Sequence, residues 1–406
     1  MSGPKVVRVR SREELAAECF ALIDGLRVSI EQCQSFARHH EAYDEESARR
    51  HAALLAELVA QTEVAAFDTV RRRCAETQDS VQFEHEALEG KVVGRAAAEA
   101  TRKRREKVIS QMGDKIGLRT EDLGRVVEAT EEQWRLAEAL GRDDSSVETI
   151  ARHDERLERL TAEIRVLDAT QVGNALLARA IQLPSEGDTA RYKMKMDSLG
   201  LEWAQRRREI AALAQRMGRA RKAILSLARI SDEAAQAMRR QVEVALAASD
   251  APEALIAEVE AFLASHAQAA AAMHRRRAVL QGLAQLGYEV RPDLITATPV
   301  DGRIVVKKPA AGYGVEVMMP EGAPRFQVKV VAFKGAAEAR SLARDRDAET
   351  SWCSEFSKLQ SMLKKNGADL TIEQAKGIGA VPVTEVVMAD TEDRRDDVRK
   401  EQTRTL

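Results

Sequence analysis

The chain has 406 residues, of which 32% are charged and only 4% aromatic, and its formal net charge is −2. That balance excludes a global electrostatic pull toward nucleic acid or a membrane surface, and many charges with few aromatics favour long helices and coiled coil. No apolar run approaches the roughly 18 residues of a membrane span. The first ten residues lack the apolar core of a secretion signal, so a cytoplasmic protein with no membrane partner is expected.

The nine prolines divide the chain. None lies between Pro4 and Pro184. Pro184 and Pro252 follow, and Pro292, Pro299, Pro309, Pro320, Pro324 and Pro382 crowd the last quarter. Proline lacks a backbone donor and breaks helix interiors, so helices can run long only in the first three quarters. The expected organisation is a flexible N-terminus over 1–10, a helical bundle or coiled coil over 11–184, and a long coiled-coil helix with a return helix over 185–286. An α+β domain over 288–388 and a disordered charged tail over 389–406 complete it. The fold class is mainly α, with long antiparallel helices and a small C-terminal α+β domain.

In chain order, Ser11 and Glu14 fit a capping box. The residues Leu15, Cys19, Leu22, Leu26, Ser29, Cys33 and Phe36 then keep the 4,3 spacing of a helix packed on a helix. Asp44 is placed to cap a second helix. From there to about Met112 the apolar stripe is broad, as in a bundle, with Met112-Gly113 as its end. Thr120 opens the next expected helix, to Gly141. A second seam follows at Ile150, His153, Leu157, Leu160, Ile164 and Leu167.

Pro184 to Asp188 is the clearest break in the helical part. Beyond it, Met196, Leu199, Trp203, Arg206, Ile210, Leu213, Met217, Ala220, Ile224 and Leu227 alternate by three and four. A 40-residue helix there is roughly 60 Å long. Asp250 and Pro252 open another helix, which ends at Leu286-Gly287.

The period then changes to two. Arg303–Lys307, Tyr313–Met319 and Arg325–Phe333 are rich in β-branched residues and separated by Pro and Gly, the pattern of a three-stranded antiparallel meander. A helix carrying Leu342, Glu349, Trp352, Phe356, Leu359 and Leu363 on one face is expected to cover it, Asn366-Gly367 ends that helix, and Ala380–Val387 adds an edge strand.

Catalytic and cofactor motifs are missing: there is no phosphate-binding GxxxxGK[ST], no GxSxG and no HExxH. Cys19, Cys33, Cys74 and Cys353 have no metal-type spacing and read as reduced, packed thiols. His39-His40-Glu41 through Glu46, with His51, contains metal-ligand types, but an acidic cap on a helix start accounts for it more simply. Cys353 sits in a distinctive Trp-Cys-Ser-Glu-Phe run, yet no histidine follows His274 to act as its base. No catalytic residue, cofactor or metal ligand is therefore assigned.

Charge is distributed unevenly. Residues 205–230 hold Arg206, Arg207, Arg208, Arg216, Arg219, Arg221, Lys222 and Arg229 against Glu209, a net +7, whereas 120–163 carries a net −7. Such a basic stripe suits phosphates, but no aromatics for base stacking accompany it, so matching to acidic helices of the same chain is favoured. The functional expectation is a non-enzymatic coiled-coil scaffold or adaptor in a cytoplasmic complex. It would form a homo-oligomer or hetero-complex, with the C-terminal domain docking a protein partner. The alternative is a nucleic-acid-binding accessory subunit using the basic helix.

Overall fold

The computed structural model describes residues 4–116, 145–183, 189–290, 302–308, 312–320, 323–334 and 340–387, and for 104–116, 145–154 and 189 the backbone alone. The expected helix over 120–141, the break at Pro184 and the charged tail 389–406 lie outside the described residues, as do the side chains of Ile150 and His153.

Nine helices and six strands occur among the described residues. They are β1 (Lys5–Arg10), α1 (Arg12–His39), α2 (Glu45–Glu63), α3 (Phe67–Ile116), α4 (Ser145–Leu167), α5 (Gln171–Gln182), α6 (Thr189–Leu227), α7 (Glu233–Ala247), α8 (Glu253–Gln285), β2 (Arg303–Lys307), β3 (Tyr313–Met318), β4 (Arg325–Phe333), α9 (Leu342–Lys365), β5 (Asp369–Ala375) and β6 (Thr384–Val386). The chain is thus mainly α with a C-terminal α+β part, and no described helix is long and apolar enough to cross a membrane.

The chain forms two compact units. A sheet unit comprises residues 1–23, 56–72 and 257–406, and a helical unit comprises 24–55 and 73–256. The boundary falls inside α1, α2, α3 and α8.

In the sheet unit, β2, β3 and β4 form the expected meander, with Val306 opposite Val315 and Val317 opposite Val328. The sheet is nevertheless larger than three strands. Its order is β2-β3-β4-β1-β5, and β6 pairs β4. The segment expected to be a flexible N-terminus is a strand inserted antiparallel between β4 and β5. Alternation explains why it stays: Val7 and Val9 are fully buried, while Arg8 between them faces out. Along the side of β4 that β1 occupies at 325–328, residues 331–333 pair in parallel with β6, so most of β4 is hydrogen-bonded on both sides.

The inward face of this sheet packs under α9 and the end of α8. Val7, Val9, Ile304, Val306, Val315, Val317, Phe326, Val328 and Leu370 meet Leu280, Leu283, Trp352, Phe356, Leu359 and Leu363 in one buried cluster. The two helices approach closely at Gly282, where a Cβ would lie 2.4 Å from a Leu359 methyl carbon. The capping box of α1 is complete, with Glu14 N–H donating to Ser11 Oγ (3.1 Å) and Ser11 N–H to a Glu14 carboxylate oxygen (3.3 Å).

The helical unit has a cluster of its own. Leu157, Leu160 and Ile164 of α4, Leu176, Ala180 and Leu183 of α5, and Met196, Leu199 and Trp203 of α6 pack together. In α1 the seam drifts from the predicted heptad. Leu15, Cys19 and Leu26 are buried, but Leu22 is 42% exposed and Ile23 takes its place inside; Cys33 and Phe36 are half-buried. A straight helix turns 3.6 residues per cycle, so a 3.5-residue repeat migrates across its face.

Four helix breaks among the described residues, after α1, α2, α4 and α6, carry no proline or glycine to announce them. The single helix expected from Asp44 onward is two, and α3 continues past Met112-Gly113 to Ile116. At the end of α2, Ala66 N–H donates to Gln61 O (2.9 Å) and Ala65 N–H to Thr62 O (3.1 Å), with Ala65 at φ 61°. This is a Schellman closure made by an alanine in the left-handed region. Glu41 (φ 54°) and Ser249 (φ 53°) end α1 and α7 with the same bond pattern. Between α6 and α7, Asp232 caps the new helix by accepting from Ala234 N–H at 3.2 Å.

Candidate functional site

The basic stripe lies on α6, and much of it is bound to carboxylates of the same unit. Arg206 holds Asp168 through Nε at 2.6 Å; the Asp168 side chain is 1% exposed and also accepts from Thr170. Burial opposes ionisation of Asp168, but the bonds from Arg206 and Thr170 together outweigh it and hold its pKa below the ordinary 3.8. Arg207 meets Glu89 of α3 at 2.5 Å and Glu163 of α4 at 4.0 Å. Arg219 meets Glu253 at 2.6 Å, and Arg229 donates to the buried Asp24 at 2.7 Å.

The opposing charge therefore comes from residues scattered over α1, α3, α4 and α8 and the turn after α4, rather than from 120–163 alone. Arg208 and Arg221 are exposed, Arg216 and Lys222 half-buried. Arg206 was the one poor residue in the apolar seam of α6, and its place there follows from Asp168, which its guanidinium reaches across the seam.

The same seam is uneven. Met196, Leu199 and Trp203 are buried at one end and Ala220, Ala223 and Leu227 at the other. Between them Ile210 and Met217 are half-buried and Leu213 is 39% exposed; Ile224 is half-buried too. Beside this middle stretch a cleft of about 540 Å³ opens among α3, α4 and α6, lined by Glu86, Glu89, Gly90, Gly94, Arg159, Glu163 and Arg207. Its charges are largely paired with one another, Arg159 with Glu163 at 3.4 Å and Arg207 with Glu89.

The histidine-rich turn joins α1 to α2. His39 and His40 end α1, and Asp44 caps α2 by accepting from Glu46 and Ser47 N–H at 3.0 and 3.2 Å. Burial, with His39 and Arg95 nearby, lowers the His40 pKa. Among the described residues no group of three or more His, Cys, Asp or Glu is disposed to hold a metal.

In the sheet unit Trp352, Phe356 and Leu359 are buried in the core cluster, on the face of α9 that covers the sheet. Around them run buried polar contacts that sequence reasoning missed. Asp345 is clamped by Arg340 (2.9 Å) and by Tyr313 Oη (2.8 Å). Burial and the bond to Asp345 raise the Tyr313 pKa to about 12. Tyr288 Oη donates to Glu355 at 2.6 Å, and Lys308 pairs with the same carboxylate. Lys5 of β1 is 2% exposed and directs its ammonium at Cys353 Sγ, 3.5 Å away. The only signal of Lys5 in the sequence was its place in the inward-facing alternation with Val7 and Val9.

The outward face of the sheet has a different character. Strand alternation puts Arg8, Arg10, Arg303, Lys307, Arg325 and Lys329 there, with Glu316, Asp369 and Glu373 as the acids. Glu316, 2% exposed, lies between Arg303 (2.6 Å) and Lys329 (3.0 Å). Glu373 lies between Arg8 (3.1 Å) and Arg325 (2.6 Å). Each carboxylate thus fixes two cations across neighbouring strands, while Lys307 pairs with Glu289 and Arg10 with Glu18. No protein-family model, no curated protein and no solved structure matches this chain.

Proposed function

We propose that the protein is a non-enzymatic scaffold or adaptor of a cytoplasmic complex, whose α+β unit docks an acidic protein partner on the outward face of its sheet. The observation that carries this reading is the ordered set of cations on that face, spaced by strand register and held by Glu316 and Glu373. Electrostatic complementarity of this kind favours specificity and fast encounter. The half-covered middle of the α6 seam, at Ile210, Leu213 and Met217, supports a further role for the helices in association with a second copy or another helix. The basic stripe of α6 is less suited to nucleic acid because Arg206, Arg207, Arg219 and Arg229 already hold carboxylates.

The test joins light scattering to affinity purification of the full chain from its host. Wild type is expected to be larger than a monomer or to retain a protein partner. The exposed-face variant Lys307→Glu with Arg325→Glu is expected to lose that partner while keeping its circular dichroism. A monomer without a protein partner overturns the proposal. So does duplex DNA binding that falls steeply with salt and is unaffected by the double variant.

A further inference from the structure

Cys353 lacks a histidine, but it does not lack a nitrogen base. Lys5 occupies the inward-facing register of β1, in line with Val7 and Val9, and only 2% of its surface is exposed. Lysine is almost never buried so deeply without a carboxylate. Among the described residues no carboxylate lies within ion-pairing distance of Lys5. Its nitrogen has the Cys353 sulfur at 3.5 Å and the Phe356 ring face beneath it, 5.0 Å from the centroid. Cys353 itself is half-buried on α9. A buried amine whose sole hydrogen-bond acceptor among the described residues is a thiol sulfur is an expensive arrangement to keep for packing alone.

We infer that Cys353 and Lys5 form an oxidation site, at which a hydroperoxide oxidises the thiol and the lysine nitrogen captures the product as a sulfur–nitrogen cross-link. In the first step the sulfur attacks a peroxide oxygen, the O–O bond breaks, water leaves, and Cys353 becomes a sulfenic acid. In the second step Lys5, having given one proton to solvent, attacks that sulfur with its nitrogen lone pair. The S–O bond breaks, and the departing hydroxide takes a second proton from nitrogen and leaves as water. Sulfur loses two electrons in total, and hydrogen peroxide is reduced to two waters. Capture of a sulfenic acid by a neighbouring nitrogen is known chemistry for backbone amides, and an amine is the stronger nucleophile. The product ties the N-terminal strand to the helix that covers it and protects Cys353 from irreversible oxidation.

The experiment treats the full-length folded protein with hydrogen peroxide, then digests it with trypsin without reductant. Unmodified protein is cut after Lys5 and yields Cys353 in the peptide 347–358. The inference expects the cut after Lys5 to be lost and peptide 1–8 to appear joined to 347–358, with a mass about 2 Da below their sum. Dithiothreitol is expected to separate the two. Cys353→Ser is expected to abolish the joined species, and Lys5→Arg to replace it with a Cys353 sulfinic or sulfonic acid. Peroxide-treated wild type in which Lys5 is still cut normally and Cys353 is either unreacted or over-oxidised overturns the inference, whatever the variants do.

Discussion

The two units keep their charges in opposite ways. In the helical unit cations cross between helices to buried carboxylates, as Arg206 does to Asp168 and Arg229 to Asp24, and so become part of the packing. In the sheet unit the inward face is almost wholly apolar, Lys5 excepted, and the cations are displayed outward around Glu316 and Glu373. A few arginines mid-helix and a few on strand faces look alike in composition. What separates them is whether the element's own periodicity puts them toward a neighbour or toward water.

The largest expected effect tests whether the sheet unit depends on its N-terminal strand. Val9 is fully buried between β4 and β5, so Val9→Asp places an unpaired carboxylate in the core and is expected to cost more than about 4 kcal/mol. Leu213→Asp, at the exposed middle of α6, is expected to change stability by less than about 0.5 kcal/mol. Thermal melts followed by circular dichroism compare the two; equal losses would erase the distinction between a single dense core and a segmented one.

A smaller effect separates packed from displayed cations. Arg206→Ala strands Asp168 and is expected to destabilise by about 3 kcal/mol, whereas Arg325→Ala, at a 59% exposed side chain, is expected to cost under about 1 kcal/mol. Acid sharpens this. Because the folded Asp168 carboxyl titrates below 3.8, its contribution is complete above the unfolded carboxyl's pKa and disappears as pH falls through the folded value. Urea titrations should therefore show wild type and Arg206→Ala converging as the pH falls below the folded value. A gap that persists there would assign the loss to packing of the arginine stem.

The smallest effect concerns helix ends. The helical unit closes α7 with Ser249 in the left-handed region, while the sheet unit closes α8 with Gly287 at φ 86°. Ser249→Gly is expected to stabilise by up to about 1 kcal/mol and Gly287→Ala to destabilise by a similar amount. Chemical denaturation would detect both, and a neutral Ser249→Gly would mean that its side chain offsets the strain.

Strands β2, β3 and β4 were legible in the sequence because β-branched residues alternate there between proline and glycine punctuation. The covering face of α9 was legible because Trp352, Phe356, Leu359 and Leu363 repeat at helical spacing. Strand β1 was not, since Val7 and Val9 are its only inward-facing apolar residues and its partners Arg325–Val328 are more than 300 residues away. Strand β5 offered one buried residue, Leu370. The end of α2 was invisible because alanine is the best helix former and gives no sign of a left-handed turn. The charge pairing of α6 was legible in kind but not in partner. Net charge along a sequence cannot say that Asp24, Glu89 and Glu253, distant from one another, converge on one helix. For the outward sheet face, the alternation of Arg303, Arg325 and Lys329 was present in the strands, but it becomes a surface only once β1 and β5 extend the sheet.

The position of β1 also sets a schedule for synthesis. Its hydrogen-bonding partners are made about 320 residues later, which at roughly 5–20 residues per second is about 15 to 65 s of translation. Throughout that interval a strand with two valines and a lysine meant for the interior has no sheet to join, while residues 24–256 can already fold between the two halves of its future unit. The growing chain must leave this strand unpaired until its last quarter emerges.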